Sequence, residues 1–194
     1  MTEIYLLRHG ETEWNAAGRF QGQRDSLLTA RGREQAGQLG YVLSRALRDQ
    51  PSPMLHISPL GRTRDTAAIV CRCLPDLDSW KIEPRLQEVS TGAWDGLTQE
   101  EIEAGWPGAL DDTDHYDWYF RSPDGETFEA AFQRVREWVD GLEGSVVAVS
   151  HGLLGRLVRG AWLGLPVHEM LRLPVPQDVV WHLSSAGVTA LPGS

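Results

Sequence analysis

Basic charge is scarce in this chain of 194 residues: 18 Lys and Arg stand against 27 Asp and Glu, a formal net charge of −9. A surface of that sign repels a polyphosphate backbone, so nucleic acid is not an expected partner. Long apolar runs are missing as well. No stretch approaches the roughly 18 residues a membrane helix needs, and the N-terminus lacks a basic segment followed by a hydrophobic signal core. The expectation is a soluble, cytoplasmic protein with no membrane partner. Cysteine is nearly absent. Cys71 and Cys73 stand two apart in a helical pattern, point to different faces, and so make a poor disulfide or metal pair. Internal repeats and low-complexity segments are also lacking.

What is present is a chain that is 41% hydrophobic, long enough for one well-buried core, so residues 1–194 are expected to form one domain. Short apolar or β-branched runs at Ile4–Leu7, Met54–Ile57, Ser145–Val149 and Val179–Leu183 have strand length, with weaker ones at Trp80–Glu83 and Gly187–Leu191. Helical patterns lie between them. Thr29 reads as the N-cap of a helix whose apolar face carries Ala36, Leu39, Leu43, Ala46 and Leu47. Further helices are expected over about Arg62–Leu74, Glu126–Leu142 and Leu153–Leu163. Strands alternating with helices predict an α/β fold with a mainly parallel central sheet and helices on both faces. Asp95–Gly125 and Gly164–Asp178 read as irregular insertions, the first as a lid.

In such sheets ligands collect at the carboxyl ends of strands. Arg8 and His9 sit just past the first strand, Ser58 and Arg62 just past the second, and Ser150, His151 and Gly152 just past VVAV. One edge thus receives two histidines and two arginines. A metal would ask for carboxylates or more imidazoles, whereas guanidinium forks match phosphate oxygens. Phosphate is the better fit, and no metal site is expected.

The ordered blocks RHGETEWN (Arg8–Asn15), RFQG (Arg19–Gly22), LTARGREQA (Leu28–Ala36), SPLGRTRDTA (Ser58–Ala67), LQEVSTGAWDG (Leu86–Gly96) and SHG (Ser150–Gly152) resemble the histidine phosphatase superfamily, the phosphoglycerate mutase-like family. That resemblance covers nearly the whole chain and implies a three-layer α/β/α sandwich. It also implies a mechanism. Neutral His9 would attack phosphorus and form a phosphohistidine, with the Gly10 carbonyl as the expected acceptor for its other ring nitrogen. Arg8, Arg62 and His151 would surround the transferring phosphoryl group in place of a metal ion or other cofactor. Glu88 would be the proton donor and then the base. Asn15, Gln21 and Gly22 match further phosphate-contacting positions, although Gln21 is larger than the Thr or Ser found in parts of the family. Arg64, the rival of Arg62, is expected on the exposed side. Of the remaining histidines only His115 lies where a lid could reach substrate.

Within the family the lid separates two activities. A mutase must hold a second anionic group, yet from Val89 to Phe128 the only basic residue is Arg121, among ten Asp and Glu. Trp106, Tyr116, Trp118, Tyr119 and Phe120 in the same span suit either an apolar leaving group or a local core. The expected activity is therefore that of a metal-independent phosphatase acting on a small phosphorylated metabolite. The alternatives are a cofactor-dependent phosphoglycerate mutase and a non-catalytic phosphate-binding protein. The expected partner is the small-molecule phosphomonoester, with a homodimer allowed but not required.

Overall fold

The computed structural model describes residues 2–75, 77, 79–113 and 117–193. The described residues form β1 (Ile4–Arg8), α1 (Glu13–Ala16), α2 (Ala30–Ala46), β2 (Met54–Ile57), α3 (Gly61–Val70), β3 (Trp80–Ile82), α4 (Gln99–Gly105), α5 (Phe128–Asp140), β4 (Val146–Ser150), α6 (Gly152–Leu163), α7 (Val167–Met170), β5 (Val179–Ser184) and β6 (Gly187–Pro192). His115, Asp114 and Tyr116 lie outside the described residues. None of the helices is long and apolar enough to cross a membrane.

The strands make one six-stranded sheet in the order β3-β2-β4-β1-β5-β6. Strands β3, β2, β4 and β1 run parallel, and β5 and β6 add an antiparallel hairpin at one side. The pleat explains the layers. Along β1, Ile4 and Leu6 face one way and join Val146, Ala148, Val135, Trp138, Leu154 and Leu157 in a core beneath α5 and α6. Tyr5 and Leu7 face the other way and join Val147, Val149, Leu39, Leu43, Ala67 and Val70 beneath α2 and α3. A strand covered on both faces reads as an unbroken apolar run. Both β1 and β4 are of this kind.

Helix ends account for the differences from the sequence reading. The Thr29 hydroxyl accepts from Gly32 N–H at 2.9 Å and caps α2 as expected. Helix α3 begins one residue earlier than expected and tightens into a 3-10 turn at Cys71–Cys73. Its cap comes from far away: the Asp25 carboxylate accepts from Gly61 N–H at 2.6 Å and Arg62 N–H at 3.2 Å. The Asp95–Gly125 stretch is not wholly irregular. It contains α4, started by a capping box in which Thr98 accepts from Glu101 N–H and the Glu101 side chain accepts from Thr98 N–H.

The aromatics of the 95–125 stretch divide between a local cluster and the main core, against which Tyr119 and Phe120 pack. Trp94 is fully buried, with Trp106 and Trp118 each 6.3 Å away between ring centroids. Trp118 in turn stacks on Tyr119 at 3.8 Å and meets Phe20 at 4.3 Å. Trp94, Trp106, Trp118 and Phe20 thus form a small local cluster, which Tyr119 joins to the main core.

Candidate active site

The sheet register assembles the site. Arg8 pairs with Ser150 across β1 and β4, and the ladder runs one step further, with His9 N–H donating to Ser150 O at 3.0 Å and Ser58 N–H to Val149 O at 3.1 Å. Three strand ends therefore lie side by side and deliver His9, His151 and Ser58 to one edge. The next turn is tight. A Cβ on Gly10 would sit 2.1 Å from the Gly32 carbonyl oxygen, so only glycine allows β1 to pass so close to the start of α2.

His9 is buried, and its Nδ1 lies 2.8 Å from the Gly10 carbonyl oxygen. A carbonyl only accepts, so Nδ1 carries the proton and Nε2 keeps its lone pair. Burial pushes the His9 pKa well below the usual histidine value, and the charges of Arg62 and Arg8 push it the same way. Both effects favour the neutral ring. His151, also buried, lies edge-on to it with centroids 5.3 Å apart, and burial followed by Arg62 lowers its pKa as well. His151 Nε2 lies 2.7 Å from Ser58 Oγ, which also lies 3.5 Å from Leu60 N–H, while His151 Nδ1 is buried without a partner.

The two arginines are held by backbone carbonyls. Arg8 Nη1 donates to Val175 O at 2.6 Å. Arg62, 1% exposed, donates from Nη2 to Gly22 O at 2.7 Å and from Nη1 to Arg24 O at 2.8 Å and Asp25 Oδ1 at 2.9 Å. Burial lowers both guanidinium pKa values, opposed most strongly in each case by Glu88. Both remain cations at neutral pH. In each, the buried Nε has no hydrogen-bond partner. Arg64 is exposed on the far side of α3, as expected.

Glu88 occupies the N-terminus of α6. Its Oε1 accepts from Val89 N–H and Leu154 N–H, both at 2.9 Å, and Oε2 accepts from Leu153 N–H at 3.1 Å. Two of these donors are first-turn amides that the helix cannot satisfy itself. Oε2 has one partner where Oε1 has two.

The three remaining candidates are engaged within the protein. Asn15 sits in the capping box of α1, its Oδ1 accepting from Thr12 N–H at 3.2 Å and from Gln177 Nε2 at 3.0 Å. Gln21 bonds to Thr12 Oγ1 at 2.8 Å and Ser26 Oγ at 3.1 Å. The Gly22 N–H, expected to face an anion, donates to Asp95 Oδ1 at 2.9 Å. Sequence reasoning missed Asp25, Asp95 and Gln177 and gave Ser58 no role. All four act over long sequence separations, and only a register between distant blocks could have pointed to them. Among the described residues no group of three His, Cys, Asp or Glu side chains could hold a metal ion.

The family model of the histidine phosphatase superfamily (branch 1) matches residues 4–187. A protein of Enterobacter sp. (strain 638) named "Probable phosphoglycerate mutase GpmB" is 42% identical over 189 residues, covering 89% of this chain and 80% of its own length. Its namesake in Erwinia tasmaniensis is 38% identical over 187 residues with the same coverage. Among solved structures, the alpha-ribazole phosphatase of Shigella flexneri superposes with a TM-score of 0.79 at 27% identity, covering 100% of this chain and 96% of that one. The mycobacterial glucosyl-3-phosphoglycerate phosphatase complexed with VO3 gives 0.75 at 30% identity, covering 95% and 91%. The six-stranded sheet, the paired histidines at its edge and these matches together place the chain in the histidine phosphatase superfamily.

Proposed function

We propose that the protein hydrolyses small phosphomonoesters through a phosphohistidine on His9. The observation that carries this reading is the set of buried nitrogens without partners, Arg8 Nε, Arg62 Nε and His151 Nδ1, around a neutral imidazole. Buried donors left unpaired are costly, and a phosphoryl group with three equatorial oxygens satisfies all three. For His151 this requires the tautomer with its proton on Nδ1, with Ser58 Oγ donating to Nε2.

His9 Nε2 attacks phosphorus in line, forming the N–P bond as the ester P–O bond breaks. Glu88, protonated on Oε2, gives that proton to the departing oxygen. Water then attacks the phosphohistidine, Glu88 takes a proton from it, and the N–P bond breaks to release inorganic phosphate with His9 again neutral.

Water as final acceptor is supported by the lid. Its basic residue, Arg121, is exposed and donates to Asp111 O, Asp112 O and Asp117 Oδ2 of the lid itself. It therefore offers no second anion clamp over the site. The names of the curated relatives favour a second reading, a phosphoglycerate mutase. Phosphate release from a panel of phosphomonoesters in EDTA, run beside a coupled mutase assay with 2,3-bisphosphoglycerate, separates the two. Phosphatase chemistry predicts release that survives the chelator; efficient interconversion of phosphoglycerates with little release would overturn it.

A further inference from the structure

Arg62 is aimed by a short loop, and the loop is gripped by one residue at the root of the lid. The Asp95 carboxylate accepts from three successive amides: Gly22 N–H at 2.9 Å on Oδ1, then Gln23 N–H at 2.9 Å and Arg24 N–H at 2.8 Å on Oδ2. Asp95 is 8% exposed, so these bonds are shielded from water. In a planar trans peptide the N–H and C=O point in opposite directions. Holding Gln23 N–H on Asp95 therefore turns the Gly22 carbonyl the other way, onto Arg62 Nη2.

The loop has no slack to find that orientation otherwise. A Cβ on Gly22 would lie 2.6 Å from Thr91 Oγ1 and 2.8 Å from Thr91 N, so the backbone is pressed against the segment that follows Glu88. Asp95 itself is fixed from both sides. Trp94 before it is the centre of the lid's aromatic core, and Gly96 after it, at φ +91°, lies against the Trp14 ring.

We infer that Asp95 is a positioning residue for Arg62: by gripping the amides of residues 22–24 it fixes the carbonyls that set where the unpaired Arg62 Nε points. The root of the 95–125 stretch thereby contributes to phosphoryl transfer. This rests on the proposed hydrolysis of phosphomonoesters. Asn at position 95 keeps the size of the side chain but presents one acceptor oxygen where the carboxylate presents two.

The test is a double-mutant cycle on p-nitrophenyl phosphate hydrolysis, with vanadate inhibition as a second readout. Asp95→Asn should lower kcat/KM by about ten- to a hundredfold, the scale of a misplaced catalytic group, and weaken vanadate inhibition in parallel. In an Arg62→Ala background the same substitution should change kcat/KM by less than about twofold. Gln23→Pro, which removes one amide together with the 3.4 Å side-chain bond to Glu88 O and leaves Asp95 intact, should show the same dependence on Arg62, and it serves where Asp95→Asn fails to fold. Equal losses with and without Arg62, or full activity in Asp95→Asn, overturn the inference alone. A wild-type protein that releases no phosphate overturns the hydrolytic reading beneath it.

Discussion

Arg8 and Arg62 carry the same group to the same place but are mounted differently. Arg8 is the last residue of β1, its backbone locked opposite Ser150, and its guanidinium rests on one carbonyl, Val175 O. Two neighbours hold the same strap: Arg156 Nε donates to Leu173 O at 2.7 Å, and Arg159 Nη2 donates to Pro174 O. Arg62 lies in the first turn of a helix and depends on a loop, on the Asp25 ion pair and, through that loop, on Asp95. The first mount uses sheet register and neutral acceptors. The second uses two carboxylates from segments distant in sequence, so it responds to charge and to the lid.

The largest effect comes from removing the group that both arginines serve. His9→Ala should lower p-nitrophenyl phosphate turnover by about four to six orders of magnitude, the scale of a lost nucleophile, with the thermal melt still cooperative. Near-normal turnover would mean that the arginines surround something other than the nucleophile. Next come the arginines themselves. Arg8→Ala and Arg62→Ala should each cost about a hundred- to a thousandfold in kcat, as for lost transition-state donors. Arg62→Lys should recover little, since one ammonium cannot reproduce the forked contacts to Gly22 and Arg24. Good rescue by lysine would reduce Arg62 to a point charge and erase the contrast.

Asp25 sharpens it. Asp25→Ala removes the α3 cap and the ion pair together, and should cost about 1–2 kcal/mol of stability by urea denaturation. Among the described residues Arg8 has no such carboxylate partner to lose. A stability unchanged by Asp25→Ala would place the anchoring entirely in the carbonyls.

The fold and the position of His9 at the edge of the sheet were legible because their signals are local. β1 and β4 are apolar runs, Thr29 is a cap one residue before its helix, and the Gly10 carbonyl is adjacent to His9. α4 has a local signal too, the Thr98–Glu101 spacing of its capping box. What could not be read is non-local. Asp25 caps a helix 36 residues away, Asp95 holds amides over 70 residues before it, and Ser58 reaches His151 across β4. Each bond depends on how the sheet orders its strands, which residue spacing does not encode.

A smaller effect concerns pH. His9 and His151 have lowered pKa values, and burial with nearby Lys81 lowers that of His56 to about 4. The unfolded chain takes up protons on these residues near pH 6.5, before the folded one does, so their stabilisation is complete above about pH 6.5 and is lost as pH falls towards the folded values. Glu83, held at about 2 chiefly by Arg85, acts only below the usual carboxylate range. Urea denaturation should therefore show stability falling between pH 7 and 5, and less steeply in His151→Gln. An identical slope in the variant would show that His151 does not contribute.

The central claim is that His9 Nε2 takes the phosphoryl group, and trapping the enzyme during turnover tests it most directly. Rapid quench of the protein with p-nitrophenyl phosphate under alkaline denaturing conditions, followed by peptide mass spectrometry and phosphorus NMR, should find a single phosphoryl group on His9, attached through Nε2. It should be absent in His9→Ala and still form in Glu88→Gln. Phosphate release with no transient phosphohistidine at any quench time, or a label on another residue that persists in His9→Ala, would contradict the account.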